Sequence, residues 1–189
     1  KILLTGHCSH LVNYRNTFCA ARYNNDGTAD PTFDAGRGNL GLAIVDYGKI
    51  LPLSSTAGVI QADGKIVLAG NCDGQMCATR ITIQGSLDTT FNAGGSSPGL
   101  VTTAIDGISS SAANAVLLQT DGRIVLVGVC YNSSAMFCAA RCNADGTLDT
   151  TFNTSGSAPG TVVTAVGGAS FSASVANAAW PDSMTVTCS

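Results

Sequence analysis

Three copies of one pattern run through the 189-residue chain. The segments Lys1-Ile-Leu-Leu-Thr-Gly-His-Cys8, Lys65-Ile-Val-Leu-Ala-Gly-Asn-Cys72 and Arg123-Ile-Val-Leu-Val-Gly-Val-Cys130 align at spacings of 64 and 58 residues. A repeat of that size cannot bury its own apolar face, so the copies must stack on one another or on a neighbouring molecule. Within each copy, short β-branched segments alternate with Gly, Asp, Asn and Ser, and no stretch keeps a 3.6-residue period with capping signals. This is an all-β reading with four strands per repeat. The first strand is expected at 40–47, 100–105 and 161–166, and the second at 58–61, 114–119 and 175–180. The third is expected at 1–8, 65–72 and 123–130, and the fourth at 18–24, 76–83 and 137–143. Ala62-Asp63-Gly64-Lys65 and Thr120-Asp121-Gly122-Arg123 join second to third strands, and their Asp-Gly pairs suit a two-residue hairpin.

After each fourth strand comes a recurring loop: Asn24-Asn-Asp-Gly-Thr-Ala-Asp-Pro-Thr-Phe33, Thr82-Ile-Gln-Gly-Ser-Leu-Asp-Thr-Thr-Phe91 and Asn143-Ala-Asp-Gly-Thr-Leu-Asp-Thr-Thr-Phe152. An aromatic at a fixed point of a loop leaving each sheet is expected to plug the gap to the next sheet. Arg22, Arg80 and Arg141 recur on the fourth strand, with Asp30, Asp88 and Asp149 eight residues later. That repetition predicts three structural ion pairs, each pinning its loop.

These residues resemble a known family. Leu117-Leu-Gln-Thr-Asp-Gly-Arg-Ile-Val-Leu-Val-Gly128, followed by the 137–152 segment, is similar to the delta-60 repeat of large bacterial secreted proteins. The resemblance implies one β-propeller blade per repeat; it implies no enzyme and no defined activity. The first copy departs from it by a longer cysteine loop and by Pro31.

Cysteines fall at matching places: Cys8 and Cys19, Cys72 and Cys77, Cys130 and Cys138. If the two runs of each repeat are adjacent antiparallel strands, the paired residues face each other across the ladder, which predicts one disulfide per hairpin. Cys142 and Cys188 remain, and a bond between them, within or between molecules, would complete the set. The rival reading of Cys72-x4-Cys77 as half of a zinc site lacks a second pair of ligands. Disulfides imply an extracellular or cell-surface setting.

On this repeat the chain divides into an N-terminal half-blade with its loop (1–39), two blades (40–99 and 100–160) and a C-terminal half-blade (161–189). The two halves are complementary. Joined within one chain they would give a cramped three-bladed ring, whereas propellers use about four or more blades. Joined between chains they would give a closed ring or an open filament. Lys1, Ile2, Leu3 and Leu4 at one end, and Val175, Ala178, Trp180 and Val186 at the other, are then the assembly residues. A self-contained domain and a piece of a longer propeller are the alternatives. Met184-Thr-Val-Thr-Cys188 fits either the third-strand position or an anchor on Cys142.

Charged residues make up 11% of the chain and the net charge is −3, with the Lys and Arg residues scattered. Such a surface offers no grip on a phosphate backbone, so nucleic acid is not an expected partner. The longest apolar runs fall far below the ~18 residues of a membrane-spanning helix. The Asn24-x-Asp26-Gly27 and Asn143-x-Asp145-Gly146 loops are reminiscent of the start of a calcium loop, but Thr82-x-Gln84-Gly85 loses the charge and turn chemistry explains all three. His7 and His10 have no acidic or nucleophilic partner motif. No cofactor, metal or catalytic constellation is expected. The sequence thus points to a non-enzymatic structural protein that assembles with itself. A secreted binding module for carbohydrate or a cell-surface partner is the alternative, supported by few candidate stacking aromatics: Tyr14, Tyr47, Tyr131 and Trp180.

Overall fold

The computed structural model describes residues 1–10, 15–34, 38, 40–45, 53–156 and 158–165. Its strands are β1 (Ile2–His10), β2 (Arg15–Tyr23), β3 (Leu42–Ile44), β4 (Leu53–Ile60), β5 (Ile66–Cys72), β6 (Gln75–Ile81), β7 (Leu100–Thr103), β8 (Ser110–Leu118), β9 (Ile124–Asn132), β10 (Ser134–Cys142) and β11 (Thr161–Ala165). They form three antiparallel meanders: β1-β2-β3, β4-β5-β6-β7 and β8-β9-β10-β11. The expected strand positions 175–180 and the 184–188 segment lie outside the described residues.

The grouping of strands differs from the expected one. The strand near residue 42 does not open the next blade; it closes the sheet it has just left, with Cys19 opposite Ile44 and Ala21 opposite Leu42. β7 pairs with β6 and β11 with β10 in the same way. The cause is local. After the Phe loop the chain turns back through Gly41, Gly99 and Gly160, whose positive φ angles of 80°, 92° and 92° suit glycine. Their carbonyls accept the N–H of Arg22, Arg80 and Arg141, zipping the returning strand to the fourth-strand edge. The two four-stranded sheets therefore run from 53 to 103 and from 110 to 165, and the boundaries expected at 40 and 100 move accordingly.

Turn chemistry also differs. Gln61 and Lys65 close a three-residue loop in which only Gly64 has positive φ, and Gln119 and Arg123 do the same around Gly122. This is a type I turn followed by a left-handed glycine. The two-residue Asp-Gly hairpin occurs instead at Asp73-Gly74, both at positive φ, where Cys72 opposes Gln75.

The sheets stack face to face. Strand alternation sends successive side chains to opposite faces, so Ile66 and Leu68 point back onto Phe18, Ala20, Phe33 and Ala43 of the first sheet. Val67, Ala69, Met76 and Ala78 point forward onto Ile124, Leu126, Ala140 and Cys142 of the third. Leu68 and Leu126 are fully buried, and shortening either to Ala would cost roughly 2–5 kcal/mol. On the forward face of the third sheet a smaller cluster, Val125, Val127 and Ala139 with Leu117 and Phe137, has no fourth sheet over it among the described residues.

Candidate functional site

The recurring chemistry of this chain sits at the boundaries between sheets. In each repeat the arginine of the fourth strand donates from Nε to the aspartate of the following loop: Arg22 to Asp30, Arg80 to Asp88 and Arg141 to Asp149, each at 2.7 Å. The same guanidinium lies over the loop phenylalanine, with Cζ 4.5, 4.8 and 4.6 Å from the ring centroids of Phe33, Phe91 and Phe152. A planar guanidinium can serve a carboxylate through its edge and a ring through its face, which an ammonium cannot.

Two partners of each aspartate escaped the reading of the sequence. A second cation from the start of the third strand reaches the same carboxylate: Lys1 Nζ to Asp30 at 2.9 Å, Lys65 Nζ to Asp88 at 3.1 Å and Arg123 Nε to Asp149 at 3.0 Å. A threonine two residues on donates from both its N–H and its hydroxyl: Thr32, Thr90 and Thr151. Both signals stood in the aligned repeats, as a fixed Lys or Arg before the Ile and as the Thr of Asp-x-Thr-Phe.

These donors hold the carboxylates charged. The Lys1 ammonium and the Thr32 hydroxyl keep Asp30 well below the usual carboxylate range. Burial works against ionisation at Asp88, yet Thr90 and Lys65 outweigh it and bring the group down to about 2. Thr151 lowers Asp149 in the same direction.

The clamp also crosses the boundary. Arg22 Nη1 donates to the Ile83 carbonyl at 2.5 Å, and Arg80 Nη1 to the Ala144 carbonyl at 2.8 Å. Beside these, the Asp34 N–H donates to Gln84 and the Asn92 N–H to Asp145. Phe33 and Phe91 are fully buried against the neighbouring sheet, plugging the gap. The arrangement fixes one sheet to the next; it brings no nucleophile beside a base.

The three hairpin disulfides are present: Cys8–Cys19, Cys72–Cys77 and Cys130–Cys138, each with Cα atoms 5.8 Å apart. The paired residues are not directly opposite, as expected from the ladder, but diagonal. Gly6, Gly70 and Gly128 oppose Cys19, Cys77 and Cys138. With no side chain in that place, the sulfur leans across to the cysteine two positions along.

Cys142 is a buried thiol in the core between second and third sheets, and burial, then Asp145 and Asp149, push it up to about 12. Its proposed partner Cys188 lies outside the described residues, as do Val175, Ala178, Trp180 and Val186. At the other end, Ile2 and Leu4 are half-exposed while Leu3 packs into the core between first and second sheets. In the two loops of calcium-like spacing, Asp26 and Asp145 accept the N–H and hydroxyl of Thr28 and Thr147, which closes the turns.

Four-stranded antiparallel meanders, stacked face to face and joined by a clamp repeated at each boundary, define blades of the β-propeller class. The family model of the beta-propeller domain of unknown function DUF5122 matches residues 1–33, 61–91 and 119–152, and the chain belongs to that family. No curated protein matches the chain. The three disulfides are consistent with an oxidising, extracellular setting. No helix of the described residues is long and apolar enough to cross a membrane.

Proposed function

We propose that the chain is a non-enzymatic, extracellular structural protein whose copies assemble head to tail by completing one another's blades. One observation carries this reading. In the second and third sheets, β4 and β8 pair along β5 and β9, whereas the equivalent edge of β1 has no neighbour among the described residues. The repeat pattern assigns residues 175–180 to the β4 and β8 position. A strand from one copy laid along Ile2–His10 of the next would make a blade of four from one strand and the sheet β1-β2-β3. This replaces the expected two-plus-two division with one-plus-three, since β3 belongs to the first sheet. Strand addition satisfies an open edge with main-chain hydrogen bonds. The delta-60 resemblance belongs to the same reading, through the 117–128 and 137–152 segments.

A second reading, a carbohydrate-binding module, is favoured by a cleft of about 450 Å³ on the second sheet, lined by Asp73, Gln75, Asn92, Ser96, Ser97 and Thr102. Hydroxyl and amide groups of this kind can exchange hydrogen bonds with sugar hydroxyls.

Sedimentation velocity and negative-stain microscopy of the non-reduced protein over a concentration series separate the two. Growth into rings or filaments supports assembly. A particle that stays monomeric and retains a ligand on a glycan array overturns it in favour of the binding module.

A further inference from the structure

We propose that Phe152 of one copy seats over Gly27 of a second copy, reproducing between molecules the contact that joins sheets within one. The inference rests on the assembly reading above and names its contact.

Within the chain, Phe33 and Phe91 each have a glycine beneath them in the next repeat. Gly85 and Gly146 are buried, at φ of 89° each. A Cβ added to Gly85 would lie 3.2 Å from the Phe33 ring, and one added to Gly146 would lie 2.6 Å from the Phe91 ring. The absent side chain is the seat. Gly27 holds the same place in the first loop, at φ 84°, yet it is exposed and no described atom lies within 4 Å of where its Cβ would be. Phe152, conversely, is only half-buried, where Phe33 and Phe91 are fully covered. It borders an apolar depression of about 210 Å³ formed with Val127, Phe137, Ala139 and Val162. Among the described residues, then, Phe152 has no glycine beneath it and Gly27 has no phenylalanine over it.

The surroundings match as well. Ile66, Leu68, Ile124 and Leu126 press back on the preceding sheet at 0–2% exposure, while their equivalents Ile2 and Leu4 are 50% and 56% exposed. The Asn25 carbonyl stands where Ile83 and Ala144 receive the arginine of the sheet before, and would receive Arg141 Nη1. The Asp26 carbonyl stands where Gln84 and Asp145 receive a backbone N–H, and would receive that of Asn153. Residues 166–189 contain no copy of the Asp-Gly-Thr or Gln-Gly-Ser loop. The contact is heterologous, using different patches on the two partners, and propagates head to tail.

The test places a photo-crosslinking benzoylphenylalanine at position 152 in a mixture of ¹⁴N- and ¹⁵N-labelled protein. Mixed-isotope cross-links from 152 to residues 25–27 are the expected result. With assembly still present by sedimentation, cross-links to other residues, or within single isotopes only, overturn the seat and leave the assembly reading standing. A monomer with no mixed cross-links overturns both. Phe152→Ala, at a half-buried position that leaves the chain's own core intact, weakens association about 30-fold or more if the ring is an anchor. Unchanged association of this variant, with an unchanged circular dichroism spectrum, removes the proposal.

Discussion

Arg80 reaches the carbonyl of Ala144, 64 residues ahead in the sequence, at 2.8 Å across the boundary between the second and third sheets. The same side chain bonds Asp88 and covers Phe91, so one guanidinium ties a strand, its own loop and the next blade. Arg141 makes the counterparts of the last two contacts, with Asp149 and Phe152, and has no bond to a following sheet among the described residues. Replacing Arg80 with Ala should therefore destabilise the fold by roughly 3–5 kcal/mol, because it leaves a buried carboxylate short of a partner. Arg141→Ala should cost clearly less in the monomer. Urea unfolding of both variants checks this, and equal losses would show that the bond across the boundary contributes nothing.

Glycine substitutions separate backbone strain from crowding. Gly27 and Gly146 share nearly the same φ, 84° and 89°. An alanine at either meets the left-handed penalty of about 1–2 kcal/mol. At Gly146 the added Cβ also meets the Phe91 ring at 2.6 Å, and overpacking of this kind adds roughly 1–3 kcal/mol. In the dissociated monomer Gly146→Ala should thus lower Tm markedly more than Gly27→Ala. Differential scanning calorimetry of the two gives the comparison, and similar values would mean that Phe91 shifts aside freely.

Much of this architecture was legible because the repeat prints each feature three times. Strand positions, the cysteine pairing and the Arg and Asp of the clamp all recur at fixed offsets, so one reading could be checked against two copies. What was hidden depends on geometry that no offset encodes. Leu42–Ile44 follows the first Phe loop and precedes β4, and only the return through Gly41 decides which sheet it joins. Asp63-Gly64 and Asp73-Gly74 are the same dipeptide, yet the first lies in a three-residue loop and the second is the two-residue hairpin. The second cation on each aspartate was visible in the alignment of Lys1, Lys65 and Arg123, but its target lies across the sheet and not along the chain.

The disulfides should differ in reactivity by their cover. Cys8 is half-buried, whereas Cys72 and Cys77 are 1% and 0% exposed. Thiolate attack needs access to a sulfur, so limited dithiothreitol in the native state should open Cys8–Cys19 well before Cys72–Cys77. Cys142, buried and with its thiol pushed up to about 12, should resist alkylation until the chain unfolds. Timed alkylation with peptide mass spectrometry reads all of this at once. Simultaneous loss of both bonds would show that the second sheet opens as readily as the first.

The aspartate clamp sets the acid limit of the fold. Asp30, Asp88 and Asp149 are all held below their ordinary range, Asp88 at about 2 against an unfolded value of 3.8. A depressed carboxylate binds protons more readily in the unfolded chain, so its contribution is fully present above the unfolded value. That contribution is lost as pH falls through the folded value. Stability should accordingly stay level from neutral pH to about 5 and drop steeply between about 4 and 2. Asp88→Asn should flatten part of that slope while lowering stability at pH 7, because Arg80 and Lys65 keep their charges without the carboxylate between them. Denaturant titrations of both proteins at stepped pH supply the slopes. An Asp88→Asn variant whose acid slope matches the parent would show that its carboxylate titrates alike in folded and unfolded chains.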